Sequence, residues 1–217
     1  MLRLFTPENV KELFTLSFAG TSTGGDTMRA MLSDLTQERT FADLGLPMTV
    51  MTVDLGSREP EPITSGPLLD ALLAATALAG FVPPFKRGSQ RLIDALALVP
   101  VPADAARAAG ADVTLSVNIM SRDVLEAWPG QEAPEVVSKR ERMLDTLLEV
   151  MDLGQLDASI RSAAAADVPI TPVFGPATWR DFELADLFLE AGALAASERL
   201  DAVAALARPS RPPAPAG

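Results

Sequence analysis

A serine framed by glycines at residues 20–24, which read GTSTG, is the first feature of this sequence with the residue types for chemistry. The pattern Gly-x-Ser-x-Gly is typical of a nucleophile elbow, a strained turn from strand to helix. Such a turn exposes the serine hydroxyl and directs backbone N–H groups at the developing oxyanion. Ser22 is therefore a candidate nucleophile. The alternative is a flexible loop between two helices, because Thr6 and Pro7 also predict a helix over residues 6–18.

The residue types that are missing restrict the chemistry further. The chain of 217 residues contains no histidine and no cysteine. It therefore has no imidazole base for a Ser-His-Asp triad, no thiol nucleophile, no disulfide and no zinc site built on histidine or thiolate. A hydrolase made from this chain needs a carboxylate as its base, or a group from another chain. Asp43, Asp104 and Asp112 lack acidic partners at metal-site spacing, so we expect no metal site. No other cofactor is expected.

One carboxylate lies where a base is useful. Residues 91–93 predict a short strand, and Asp94 follows directly. A carboxylate at the end of a strand can orient and deprotonate a serine hydroxyl that lies within hydrogen-bond reach. The alternative interpretation is a loop aspartate that caps the turn after the strand.

The charge balance bears on the partners. There are 18 basic and 29 acidic residues, a net charge of −11, which disfavours nucleic-acid binding and weakens docking on anionic membranes. The most apolar stretch, residues 68–82, contains Asp70 and is too short to cross a bilayer. Residues 1–5 lack the basic and apolar regions of a signal peptide. The sequence thus predicts a cytoplasmic protein with no transmembrane segment, whose membrane contact is at most peripheral.

The hydrophobic pattern alternates between helix and strand along the chain. Helix signals predict helices over residues 6–18, 26–35, 67–80, 103–109, 135–151, 155–166 and 181–207. Apolar, β-rich runs predict strands over residues 48–55, 91–93, 112–120 and 168–174, the last at an edge because it contains two prolines. This order is typical of an α/β fold with a mostly parallel sheet flanked by helices. The Pro-rich residues 209–217 predict a disordered tail.

Residues 40–120 resemble the second half of patatin-like phospholipase domains of the bacterial type related to neuropathy target esterase. The resemblance rests on TFADLGLPMTVMTVDL (40–55), SGPLLDALLAATALAGFVPPF (65–85) and RLIDALALVPVPADAARAAGADVTLSVNIM (91–120). Residues 167–196 are similar to the closing strand and helix of that family. The resemblance implies that residues 1–208 form part of a three-layer patatin-like domain.

Patatin-like enzymes hydrolyse lipid esters with a Ser-Asp dyad, so the resemblance implies an acyl hydrolase that needs no histidine. Asp94 aligns with the family's catalytic aspartate, and Ala95 replaces the glycine that follows it there. An alanine at this position excludes a backbone geometry that requires positive φ. In addition, no glycine-rich oxyanion loop precedes Ser22, and fewer residues separate Ser22 from Asp94 than in the family.

Three hypotheses therefore stand. The chain is a patatin-like serine hydrolase acting on a lipid or ester substrate, with Ser22 or an upstream serine as nucleophile and Asp94 as base. Alternatively, it is a catalytically inactive patatin-like module that binds lipid or a protein. In the third, the chain is part of a longer reading frame in which Met1 is internal. An incomplete domain would expose apolar sheet surface, which predicts self-association or a partner chain.

Overall fold

The computed structural model describes residues 23–78, 82–120, 139–173 and 184–207. The candidate nucleophile Ser22, the helix predicted over residues 6–18 and the tail predicted over 209–217 lie outside these described residues.

A four-stranded sheet lies at the centre of the described fold. Its strands are β1 (Val50–Asp54), β2 (Glu59–Ile63), β3 (Phe85–Arg87) and β4 (Gln90–Asp94), in the spatial order β2-β1-β4-β3. Every neighbouring pair in this sheet is antiparallel. The prediction of a mostly parallel sheet is therefore wrong. Two of the three pairs, β1–β2 and β3–β4, are hairpins joined by short turns, and strands joined by a few residues pair antiparallel, whereas a parallel pair needs a crossover of a dozen or more residues.

Two of these strands were not predicted from the sequence. Strand β2 reads EPEPI, which combines acids and prolines and lacks the apolar alternation of a typical strand. It forms at the edge of the sheet, where Pro60 and Pro62 pair with Val53 and Met51 and their missing N–H groups cost no ladder bond. Strand β3 returns into β4 through the two residues after Arg87, where Gly88 adopts φ +60°, as such a tight hairpin requires.

Helices cover one face of this sheet. Helix α1 spans Thr23–Thr36 and helix α2 spans Leu68–Ala75. Helix α2 packs on the sheet, and α1 packs on α2. The core between α2 and the sheet contains the buried residues Val50, Ile63, Ala71, Ala74 and Leu92. This cluster fixes the position of β4, the strand that ends at Asp94.

A second sheet is parallel. Helix α3 spans Ala103–Ala108, within the predicted range of residues 103–109, and Gly110 lies two residues beyond its end. Gly110 adopts φ +99°, a conformation that commonly follows the end of a helix. Strand β5 (Leu115–Val117) follows and pairs in parallel with β6 (Val168–Ile170), and helix α4 (Lys139–Ala164) lies between them in the chain. Parallel pairing is thus confirmed only for this two-stranded sheet.

The helices of the second half differ from the predicted ones. Helix α4 is a single helix of 26 residues, although two helices were predicted. Gly154 lies inside α4, and its backbone faces open space, so it lowers helix stability by about 1 kcal/mol relative to alanine without ending the helix. The long helix predicted over residues 181–207 is divided into α5 (Ala185–Ser197) and α6 (Leu200–Ala207).

Candidate functional site

Asp94 is the last residue of β4 and lies at the start of a short 3-10 turn, Ala95–Ala97. Its backbone N–H donates to the carbonyl of Ala77 at 3.3 Å, which ties the strand end to the residues after α2. Its carboxylate Oδ1 accepts a hydrogen bond from the backbone N–H of Leu96 at 2.8 Å. Asp94 therefore lies at the end of a strand, as predicted, and it also caps the following turn. The two interpretations of this residue are compatible.

The surroundings of Asp94 make its carboxylate a stronger base. Burial raises the pKa of Asp94 above its ordinary value, and the hydrogen bond from Leu96 opposes the shift only in part. A raised pKa strengthens a carboxylate as a proton acceptor, because the ionised form is less well solvated. Within the described part of the chain, Leu96 alone donates to this carboxylate, and it does so through Oδ1. Oδ2 accepts no hydrogen bond from a described residue.

Ala95 fits this turn without backbone strain. The non-glycine residues with positive φ in the described part of the chain are Gln37, Glu38 and Arg58, so Ala95 is not among them. Its side chain is buried. The geometry after Asp94 therefore does not require the glycine that the family has at this position.

The structure leaves the predicted dyad untested. Ser22 lies outside the described residues, and helix α1 (Thr23–Thr36) follows it in the chain. The nucleophile elbow at Ser22 and its pairing with Asp94 stay predictions.

Asp54, the last residue of β1, has a structural role. Its Oδ1 accepts hydrogen bonds from the backbone N–H groups of Gly56 and Arg91, both at 3.0 Å. These hydrogen bonds hold the pKa of Asp54 below its ordinary value. The carboxylate thereby links the β1–β2 turn to the first residues of β4 through hydrogen bonds. Among the described residues, no three acidic side chains lie close enough together to bind a metal ion.

A buried polar layer between β5 and α4 was not anticipated. Thr114, Ser116 and Asn118 alternate along this segment and are all buried. The Ser116 hydroxyl donates to the carbonyl of Ala163 at 2.9 Å, and the buried Ser159 hydroxyl donates to Asn118 Oδ1. The alternation of small polar residues within residues 112–120 could have indicated this layer. In a strand it puts the polar side chains on one face, and when that face is buried they need hydrogen-bond partners on the neighbouring element.

Asp167 joins this second sheet to helix α3. Its Oδ2 accepts hydrogen bonds from the Thr114 backbone N–H at 2.8 Å and from Arg107 at 2.9 Å. These contacts hold the pKa of Asp167 below its ordinary value. Like Asp54, it is engaged in holding elements together and is not available as a base.

Comparison with known proteins gives a distant match. No family model matches the chain. The chain is 26% identical over 157 residues to patatin-like phospholipase domain-containing protein 7 of Rattus norvegicus, and equally to that of Mus musculus. The similarity is to patatin-like phospholipases. It covers 70% of this chain but only 12% of each relative.

The comparison thus supports a distant link to a family of lipid hydrolases, and the patatin-like fold itself stays a prediction. Within the described ranges, no helix is both long enough and apolar enough to cross a membrane. The cytoplasmic location is a prediction as well.

Proposed function

We propose that this chain carries part of a patatin-like acyl hydrolase that cleaves lipid esters, with Asp94 as the general base. The observation that carries the proposal is the carboxylate of Asp94, which ends a core strand, is partly buried and has one oxygen that accepts no hydrogen bond from a described residue. The distant similarity to patatin-like phospholipases supports the choice of a lipid ester as substrate.

The proposed reaction is a two-step acyl transfer. The serine hydroxyl gives its proton to the Asp94 carboxylate while its oxygen attacks the ester carbonyl, which forms a tetrahedral intermediate. The protonated Asp94 returns the proton to the leaving alcohol, and an acyl-serine remains. A water molecule then attacks the acyl-serine while Asp94 takes its proton, and Asp94 returns this proton to the serine oxygen as the fatty acid is released, which regenerates both groups. Ser22 is the candidate nucleophile within residues 1–208, which we propose as part of the patatin-like domain.

Covalent labelling with a fluorophosphonate tests this proposal. The purified chain is labelled and mapped by peptide mass spectrometry, beside Ser22→Ala and Asp94→Asn. Asp104→Asn is the matched control, because Asp104 is an exposed aspartate on α3. We expect an adduct at Ser22 that is lost in the first two variants and kept in the control. An adduct at a different serine would show that Ser22 is not the nucleophile. If Asp94→Asn also abolishes that adduct, Asp94 would still be assigned as the base.

A second function has its own supporting observation. The face of β5 opposite the polar layer presents Val113, Leu115, Val117 and Ile119, which are 44–58% exposed. Apolar surface of this kind marks interaction sites. A folded chain that forms no adduct would favour a catalytically inactive module that binds lipid or a protein through such surface.

A further inference from the structure

Two positive charges lie directly opposite each other in the β3–β4 hairpin. Lys86 pairs with Arg91 in the strand register. The N–H of Arg91 donates to Asp54 and its carbonyl accepts from Leu55, so both backbone groups of Arg91 point toward β1. The Lys86–Arg91 pair therefore exchanges no backbone hydrogen bonds, and this is the kind of pair whose side chains lie closest, with Cα atoms about 4.5 Å apart. Like charges in this position destabilise a sheet.

The acidic residues of the sheet do not neutralise this pair. Side chains alternate between the two faces of a strand, so Asp54, Glu59, Glu61 and Asp94 share the face of Leu92, which α2 covers. Lys86 and Arg91 lie on the other face, and both are exposed. Neither takes part in an ion pair with a described residue, whereas the neighbouring Arg87 contacts Glu61 at 3.6 Å.

A third cation and an apolar residue lie at the same end of the sheet. The β1–β2 and β3–β4 turns are both at this end, because β1 and β4 run antiparallel and Asp54 pairs with Leu92. Arg58, in the β1–β2 turn, is exposed and adopts φ +63°. Leu55, whose N–H bonds to Arg91, is 37% exposed. We call Leu55, Arg58, Lys86 and Arg91 the basic end.

We propose that the basic end docks this protein on the surface of a bilayer that contains anionic phospholipid. Charge complementarity carries the inference, since three exposed cations, none of them in an ion pair with a described residue, are gathered at one end of the sheet in a chain whose net charge is −11. Each cation near an anionic bilayer raises binding about five-fold. At physiological salt, charges beyond a Debye length of about 8 Å are largely screened, so distant acidic residues do not cancel a local cationic patch. Asp54 and Glu59 lie nearer, but their side chains are on the opposite face of the sheet from Lys86 and Arg91. The choice of a membrane over another polyanion rests on the proposed lipid substrate.

Docking in this orientation would hold the candidate base near the lipid. Arg91 and Asp94 are three residues apart on β4. A strand advances about 3.3 Å per residue, which puts the two Cα atoms about 10 Å apart. The cations would contact phosphate groups while Asp94 lies a short distance behind them, on the other face of the sheet.

Sedimentation with vesicles tests the inference. The full chain is mixed with vesicles of phosphatidylcholine alone, or with about one-third phosphatidylserine, where the cationic contribution is large. The test variant is Lys86→Glu with Arg91→Glu, which replaces one like-charge pair by another and so keeps the cross-strand repulsion. The matched control is Arg29→Glu with Arg199→Glu, two exposed residues without an ion pair to a described residue. Both double variants take the net charge from −11 to −15.

The expected result is binding to the anionic vesicles only, weakened at least twenty-fold in the test variant and nearly unchanged in the control. Equal losses in both double variants would assign the binding to net charge and overturn the proposal. So would binding that survives in the test variant, or displacement by inorganic phosphate at constant ionic strength, which would indicate a site for a small anion. Asp94→Asn is included as a separate arm. This variant should bind the vesicles as well as wild type, because docking does not depend on hydrolysis. The hydrolase proposal and the docking proposal are therefore tested separately.

Discussion

Replacing Lys86 by glutamate should stabilise this protein. The substitution turns the Lys86–Arg91 pair from a repulsive into an attractive one, without changing a buried residue or a backbone hydrogen bond. Cross-strand charge pairs contribute about 0.2–1 kcal/mol, and exposed pairs fall in the lower part of that range. Relief of the repulsion and gain of the attraction together give about 0.5–1 kcal/mol. For a chain of 217 residues this corresponds to a rise in Tm of about 1–4 °C.

Thermal and urea unfolding at low and high salt provide the assay. Lys86→Gln removes only the repulsion and should give about half the gain. Lys86→Glu combined with Arg91→Glu restores a like-charge pair and should return the stability to that of wild type. The gain should shrink strongly at 1 M salt, where the Debye length is about 3 Å. A lower Tm for Lys86→Glu at low salt, or a gain that does not depend on salt, would refute the argument from the strand register.

Further predictions concern the candidate base and the core. Burial raises the pKa of Asp94 above 3.8, so the folded state binds this proton more tightly, and stability falls as the pH rises through the raised pKa. Asp94→Asn should therefore raise the urea midpoint at neutral pH, and an unchanged midpoint would contradict a buried carboxylate with a raised pKa. The same variant should lower lipid-ester hydrolysis about 10²–10⁴-fold, because it removes the proposed base. Leu92→Ala removes about three fully buried carbons and should cost about 3–5 kcal/mol in urea unfolding, against less than about 0.5 for the exposed Leu189→Ala. Ser159→Ala leaves Asn118 without one buried donor and should cost about 1–2 kcal/mol by the same measurement, whereas no loss would argue against their hydrogen bond.

The sequence contained enough information for most elements but not for the direction of the sheet. Strand β1 and helix α3 are set by local signals, an apolar run and a stop at Gly110, and both form as predicted. Strand β2 forms because β1 offers it an edge, and its own residues, EPEPI, give no local signal. Because β2 was missing from the prediction, the β1–β2 hairpin and its antiparallel pairing were not predicted either. The prediction placed a break at residues 152–154, whereas α4 runs through them, and the single glycine there, Gly154, costs too little to end a helix.

The candidate site was predictable only in part for a related reason. The position of Asp94 at a strand end follows from the short run before it, and its proposed role follows from a family resemblance. Its contacts with Leu96 and Ala77, however, arise from the turn after β4 and from the placement of α2. The opposition of Lys86 and Arg91 depends on the register of a hairpin of which only the second strand was predicted. Contacts that depend on strand register can be predicted only once the paired strand is known.

The polar layer of β5 has a consequence for how this protein behaves in concentrated solution. With Ser116 and Asn118 turned toward α4, the outward face of residues 113–120 is apolar, and the segment contains neither charge nor proline. Short segments of this composition, with high β-propensity and no gatekeeping charge, are those from which cross-β aggregates nucleate. This face stays 44–58% exposed in the folded chain, so it is available to stack on copies of itself both during refolding and afterwards. A substitution such as Val117→Lys would slow that aggregation, and would do so without disturbing the hydroxyl and amide groups on the buried side.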